Sequence, residues 1–277
     1  MNERRPALRE NWVTTLNSRR TGRHVYHTTG FSKDEIVTLC AMITERFGPR
    51  AKTIGRKPVL GLFRAVVVTL SYLRRNHVQQ ELAEFFGASQ PTISRTIARY
   101  TAVLGELLKE WVPTVEELDP KAQLIIDGTL LPCWSWADHP ELWSGKHRTT
   151  GMNVQVACTL SGRLAWVSDP VPGRTHDARA IRESGILPDQ DRPDHLGDKG
   201  YIGLGMITPI RKPPGGQLHE SQKQFNTQVN SIRYQIERTI ANLKTWRILH
   251  TDYRRPLRTF TETISTVIAL EFYREAF

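Results

Sequence analysis

The spacing of apolar positions divides the chain into a helical first part and a strand-rich second part. Ser32-Lys33-Asp34-Glu35 reads as a capping box, with a serine cap and a glutamate three residues on. It opens a helix through Ile36, Leu39, Ile43 and Phe47 that closes near Gly48-Pro49. A second helix is expected from Pro58, carrying Leu62, Val66, Leu70 and Leu73 on one face. Residues 78–86 form a short third helix stopped by Gly87. A fourth opens at Ser89 or Gln90 with Pro91 in its first turn, which gives a helix-turn-helix outline. Helical spacing continues to about Trp111. Pro113 and Pro120, with Glu116, Glu117 and Asp119 between them, then break it, so a domain boundary is expected there.

From residue 121 the pattern favours strands. Residues 123–127 are an apolar run. Residues 152–160 alternate, with Val154, Val156 and Cys158 on one face, and residues 163–168 pair with them across a Ser161-Gly162 turn. A helix is expected at 177–184, strands at about 193–198 and 206–211, and helices at about 219–245 and 257–276. This is a mixed α/β order. The domains expected are a flexible basic leader over 1–30, a small all-α domain over 31–112 and an α/β domain over 121–277.

Charge sharpens the division. Of the 277 residues, positions 1–100 hold 17 Lys and Arg against 7 Asp and Glu, whereas positions 101–277 hold 21 against 21. The whole excess of +10 lies in the first third, as expected of a lobe that grips a polyanion, although a solvated basic surface would look the same. Gln90, Thr92, Ser94 and Arg95 are polar residues near the start of the fourth helix, where base edges or phosphates would be met. An ordinary helical corner is the plain alternative. Cys40, Cys133 and Cys158 are too widely spaced for a disulfide framework or a zinc knuckle, which fits a reducing compartment. Neither a signal peptide nor a membrane-spanning run is read from the sequence.

Three acids stand in positions that suit metal-dependent phosphodiester chemistry. Asp127 ends the apolar run Leu124-Ile125-Ile126, where aspartate is a poor strand residue, although Asp127-Gly128 is also a common turn pair. Asp198 has the same ambiguity between Gly197 and Lys199-Gly200. Glu237 shares a stripe with Arg233, Ala241 and Lys244, next to the apolar stripe Ile232, Ile236, Ile240 and Leu243. An Arg233–Glu237 surface ion pair is the plain alternative. Asp177, after His176, could cap its helix. Trp134, Trp136 and Trp143 follow the first strand, and core or hairpin packing accounts for at least two of them. Stacking on unpaired bases is the other reading. Lys146, His147 and Arg148 are read as phosphate contacts or a solvated turn. A zinc site from Cys133, His139 and His147 lacks finger spacing.

Together these motifs resemble a DDE-type insertion-sequence transposase of the Harbinger-like, DDE-superfamily-endonuclease group. The text that carries the likeness is Ile126-Asp127-Gly128-Thr129, Ser144-Gly145-Lys146-His147, Pro172-Gly173-Arg174-Thr175-His176-Asp177, Asp198-Lys199-Gly200-Tyr201, and Arg233 and Glu237 followed by Lys244. It covers the chain from about residue 30 onward. It implies a ribonuclease H-like mixed-sheet catalytic domain behind a helix-turn-helix domain. It also implies Asp127, Asp198 and Glu237 as catalytic acids, 71 and 39 residues apart. Those acids, with Asp177 beside them, would hold Mg²⁺, with Mn²⁺ as the alternative ion. Lys146, His147, Arg233 and Lys244 would meet DNA, as would the residues of the fourth helix. A tyrosine frequent three residues before the arginine is replaced here by Asn230. The expected activity is cleavage and transfer of DNA strands at terminal inverted repeats, on element ends and target DNA, by a homo-oligomer. The expected location is the cytoplasm of a prokaryotic cell, at the nucleoid and away from membranes. The competing readings are a helix-turn-helix regulator and a domesticated nuclease that does not transpose.

Overall fold

The computed structural model describes residues 27–48, 58–134, 138–187 and 194–276. Most of the expected basic leader, residues 1–26, lies outside the described residues, as does Trp136. The chain divides into two compact units. One comprises Met1–Val112, Thr245–Thr251 and Arg255–Phe277. The other comprises Pro113–Lys244 and Asp252–Arg254.

The first unit is helical. Helix α1 (Lys33–Phe47) starts at the Ser32–Glu35 capping box, in which the Ser32 N–H donates to Glu35 Oε2 at 2.7 Å. Helix α2 (Leu62–Arg75) begins four residues later than Pro58 because Gly61 is extended and acts as its N-cap. Helix α3 (Gln79–Phe86) ends at Gly87 in the left-handed region, a conformation cheap for glycine. Helix α4 (Gln90–Leu108) follows, with Ser89 as its N-cap. Ile93, Ile97, Leu104 and Leu108 of α4 are fully buried, as are Val66, Leu70 and Leu73 of α2. Each such side chain contributes roughly 1.5–3 kcal/mol of hydrophobic stabilisation.

The closing helix α7 (Phe260–Glu275) packs with the helical unit, in which Arg255–Phe277 cluster. The reason is local. Gly105 of α4 lets α7 approach so closely that a Cβ there would sit 2.6 Å from Thr266 Oγ1. Phe260, Ile264, Val267 and Leu270 are buried. Trp246, also buried, donates its indole N–H to Glu271 at 2.7 Å. Phe31 and Trp111 pack their rings near Tyr273 of α7, at 5.9 and 5.1 Å between centroids.

The second unit is mixed α/β around an antiparallel sheet. Strand β1 (Leu124–Pro132) pairs along its full length with β3 (Thr149–Thr159), so Asp127 faces Val156 in register. It runs past Asp127 rather than turning at Asp127-Gly128, which removes the turn reading for that pair. Short β2 (Trp143–Ser144), β4 (Leu164–Val167) and β5 (Val171–Pro172) also pair with β3. A bulge lies between Ala157 and Cys158. On the other side of β1 the expected strands at 193–198 and 206–211 are reduced to single parallel bridges, Ile125 to Leu196 and Leu196 to Ile207. Helices α5 (Asp177–Glu183) and α6 (Glu220–Leu243) complete the unit. Leu124, Ile126, Ala157, Trp166, Ile181, Ile186 and Tyr201 form one buried cluster. Val154, Val156 and Cys158 are buried as expected, but Asn153 and Gln155 on the alternate positions are buried too.

Candidate active site

Backbone pairing is what brings the first two acids together. The Ile126 N–H donates to Leu196 C=O and the Leu196 N–H to Leu124 C=O, each at 2.8 Å. Residues 194–198 therefore run parallel beside β1, and Asp198 arrives next to Asp127. Asp127 Oδ1 accepts the Gly128 N–H at 2.8 Å, and Arg233 of α6 places Nη2 3.4 Å from Oδ2. Asp198 caps a 3₁₀ turn over Lys199–Tyr201, with Oδ1 accepting the Gly200 N–H at 2.6 Å. The turn reading of Asp198 is thus correct locally, and it engages only one carboxylate oxygen in the described bonds.

Electrostatics follow from this placement. Burial first, and then the charge of Asp198, push the Asp127 carboxyl up to about 6, against the opposing pull of Arg233, the Gly128 N–H and Lys146. Arg233 is itself only 14% exposed and its buried Nε finds no partner among the described residues. The alternative Arg233–Glu237 pair is not the one formed, because Arg233 turns to Asp127.

Asp177 is not a helix cap. His176 holds the N-cap position, and the Asp177 carboxylate turns inward. It accepts from Lys146 Nζ and from Asn153 Nδ2, each at 2.8 Å. Burial opposes its charge, but the bonds from Lys146 and Asn153 outweigh that and hold its pKa below the usual carboxylate value. Burial likewise works against the Lys146 ammonium. The Asp177 bond and the charges of Asp177, Asp198 and Asp127 prevail and raise its pKa. Behind this pair runs a buried polar chain: Tyr201 Oη donates to Gln155 Oε1 at 2.6 Å, and Gln155 Nε2 donates to Asn153 Oδ1 at 3.4 Å. A Cβ on Gly128 would fall against Asp177 Oδ1 and lie 3.0 Å from Gln155 Nε2, so only glycine allows this packing.

Three aspartates are therefore grouped around Lys146 and Tyr201, and Glu237 is not among them. Glu237 lies exposed on α6, one turn beyond Arg233. Among the described residues, no group of three or more His, Cys, Asp or Glu side chains is arranged as it stands to hold a metal ion. Cys133 is buried, and burial first, then Asp252, pushes its thiol up to about 12, which disfavours a zinc thiolate. Lys244 ends α6 with its pKa lowered by burial. The His147 pKa is also lowered, by burial and then by Lys146. In the helical unit Gln90 donates to Gln79 Oε1 at 2.9 Å, tying α4 to α3, and Ser89 and Thr92 share a hydroxyl bond at 2.9 Å. Arg95 is exposed, while Thr92 and Ser94 are half-buried.

Residues 126–271, just over half of the chain, match the DDE superfamily endonuclease family. The chain belongs to that family. A Streptomyces albus G protein named as a transposase for insertion sequence element IS112 is 29% identical over 209 residues, covering 75% of this chain and 78% of its own length. A Microchaete diplosiphon protein named as a transposase for element IS702 is 26% identical over 221 residues, covering 76% and 80%. No solved structure matches. No helix among the described residues is long and apolar enough to cross a membrane.

DDE endonucleases generally use divalent metal ions. The residues here fit such an ion in donor type, since Asp127 and Asp198 offer only hard carboxylate oxygens. A cation held by both would offset the Asp198 charge that, after burial, raises Asp127. The part of this DDE endonuclease that the sequence did not disclose is the Asn153–Gln155–Tyr201 chain. Its one available signal was two amide side chains at alternate positions of an otherwise apolar strand. Trp134 and Trp143 are both more than half exposed, at 56% and 51%, so neither packs in the core, while Trp143 sits in β2 paired with Thr150 of β3 as the hairpin reading has it.

Proposed function

We propose that the chain is an insertion-sequence transposase that binds the terminal inverted repeats of its element and cuts and joins DNA strands at Asp127, Asp198 and Glu237. The observation that carries this is the parallel pairing of residues 194–198 with β1, which sets Asp198 beside Asp127. The same arrangement, a parallel segment flanking an antiparallel β1–β3–β4 core, supports the ribonuclease H-like reading.

Asp127 and Asp198 would hold Mg²⁺, with Glu237 completing the set from α6 on DNA binding. Mg²⁺ suits an all-carboxylate site, and such ions supply Lewis-acid stabilisation of charge on the phosphate undergoing substitution. Arg233 holds Asp127 in place and offers a guanidinium to phosphate. Lys146 holds Asp177, and with Lys244 and His147 it supplies cationic or hydrogen-bonding contacts to the DNA backbone. The lack of a dedicated serine or tyrosine nucleophile is consistent with direct attack by water and then by a 3′-hydroxyl. In the helical unit, α3, the Gly87 turn and α4 form a helix-turn-helix in which Gln90, Thr92, Ser94 and Arg95 face DNA. Two ends handled together call for a homo-oligomer.

The test is incubation of the full-length protein with duplexes carrying the ends that flank its gene. Strand cleavage with Mg²⁺ that EDTA abolishes supports the proposal. Tight binding without cleavage would favour the regulator reading, and cleavage without strand transfer would favour a plain nuclease.

A further inference from the structure

The backbone ladder that carries Asp198 toward Asp127 stops one residue short of it. Among the described bonds its last rungs are those between Leu196 and β1, and the Gly197 N–H donating to Ile207 C=O at 3.0 Å. Beyond them the chain turns. Asp198 caps the turn Lys199–Tyr201, and the Tyr201 N–H donates to Asp198 C=O at 3.1 Å. Asp127 and Asp198 carry like charges and repel, so Asp198 needs an anchor past the ladder.

That anchor is the Tyr201 side chain. It is fully buried, and its ring lies so close to the incoming segment that a Cβ on Gly197 would sit 2.8 Å from Tyr201 Cδ2. Its hydroxyl starts the chain of bonds to Gln155, Asn153 and Asp177, whose other carboxylate oxygen takes Lys146. The direction of every link is set from the Asp177 end. An ionised carboxylate only accepts, so Asn153 turns its NH₂ group to Asp177. The Asn153 oxygen then faces the NH₂ of Gln155, which leaves Gln155 Oε1 for the tyrosine O–H. Burial, and then the charges of Asp177, Asp127 and Asp198, raise the Tyr201 pKa and keep the phenol protonated. The backbone of Gln155 is clamped as well. Its N–H donates to Ser168 Oγ and its C=O accepts the Ser168 N–H, each at 2.9 Å. Gln155 and Asn153 are 0% and 6% exposed, so breaking one link strands a buried polar group. The chain is thus a fixed bridge across β3, from Asp177 to the turn that Asp198 caps.

We propose that Tyr201, Gln155 and Asn153 are positioning residues of the strand-cutting site, whose bonded chain fixes the Asp198 turn and so sets the affinity of Asp127 and Asp198 for a divalent ion. The inference rests on the strand-cutting reading above and adds to it the groups that orient its acids. Partners of this kind, which touch a ligand rather than the ion, typically change ion affinity by roughly 10- to 100-fold when removed.

The experiment uses full-length wild type, Tyr201→Phe, Gln155→Met and Trp166→Phe. Mn²⁺ binding is followed through the EPR signal of the free ion, and cleavage of the flanking ends is followed against Mg²⁺ concentration. Tyr201→Phe removes one oxygen and keeps the ring packing. It should weaken Mn²⁺ binding roughly 10- to 100-fold and raise the Mg²⁺ needed for half-maximal cleavage by a similar factor, with the rate at saturating Mg²⁺ largely kept. Gln155→Met breaks the same chain at its centre and should shift both in the same direction. Trp166 shares the buried cluster with Tyr201 but lies outside the chain, so Trp166→Phe should lower the melting temperature and leave ion affinity alone. Wild-type ion affinity in Tyr201→Phe and Gln155→Met, or an equal loss in Trp166→Phe, would overturn the positioning role and leave the strand-cutting reading intact. A wild type that neither binds Mn²⁺ nor cuts would overturn the reading beneath it, and the positioning role with it.

Discussion

Replacing Asp127 with asparagine removes a carboxylate whose charged form the fold penalises. Burial and Asp198 raise this carboxyl from its ordinary 3.8 to about 6, and that value already includes the favourable pull of Arg233. The difference of about two units corresponds to about 3 kcal/mol at roughly 1.4 kcal/mol per unit. The Asp127 side chain keeps 21% of its exposure, so about 3 kcal/mol is a ceiling and about 1–3 kcal/mol the working range. The sign is set by proton uptake. Between pH 3.8 and about 6 the folded state holds the proton more tightly than the unfolded chain, so wild-type stability falls as pH rises through that window. Above it the penalty is complete, and below pH 3.8 it is absent. Asparagine keeps an oxygen for the Gly128 N–H and carries no charge. Urea denaturation of both proteins in EDTA should show Asp127→Asn more stable by about 1–3 kcal/mol at pH 7.5, with the gap closing near pH 4. A variant less stable than wild type at pH 7.5, or a gap unchanged by pH, would refute the electrostatic argument.

Other substitutions test other parts of the account. Gly128→Ala drives a methyl against Asp177, and it should cost about 1–3 kcal/mol of stability and most of the DNA cleavage, checked by melting and a gel assay. Gly105→Ala should destabilise the helical unit by a similar ~1–3 kcal/mol, because Thr266 of α7 lies 2.6 Å from the new carbon; an unchanged melting temperature would contradict the placement of α7 against α4. Arg95→Ala should weaken DNA binding across sequences and lower the slope of affinity against salt by about one, as for one lost phosphate contact, with fluorescence anisotropy at several salt concentrations as the measurement.

The helices were legible because their signals are local. The Ser32–Glu35 box, Gly87 and the 3.6-residue stripes each act within a few residues. The β3–β4 hairpin was legible from alternation and the Gly162 turn. What escaped depended on contacts distant in sequence. The packing of α7 against α4 and Trp246 joins residues far apart in the chain, so no local signal announced it. The plain alternative for Arg233 was a pair within its own helix, but a carboxylate 106 residues away claims it. Asn153 and Gln155 would have been outward-facing on a strand with one solvated side. Here both sides are covered, and the two amides instead link Tyr201 to Asp177. The motif acids divided in the same way. Asp127 and Asp198 meet through backbone pairing, while Glu237 stays on the exposed side of α6.

The central claim is that Asp127 and Asp198, joined by Glu237, carry strand cleavage and transfer. It is tested most directly by comparing wild type with Asp198→Asn and Glu237→Gln on DNA carrying the flanking ends in Mg²⁺, with binding followed in parallel. The wild type should cut and join, and both variants should bind as tightly yet do neither. Undiminished cleavage by Asp198→Asn, or a wild type that binds these ends without cutting them, would contradict it.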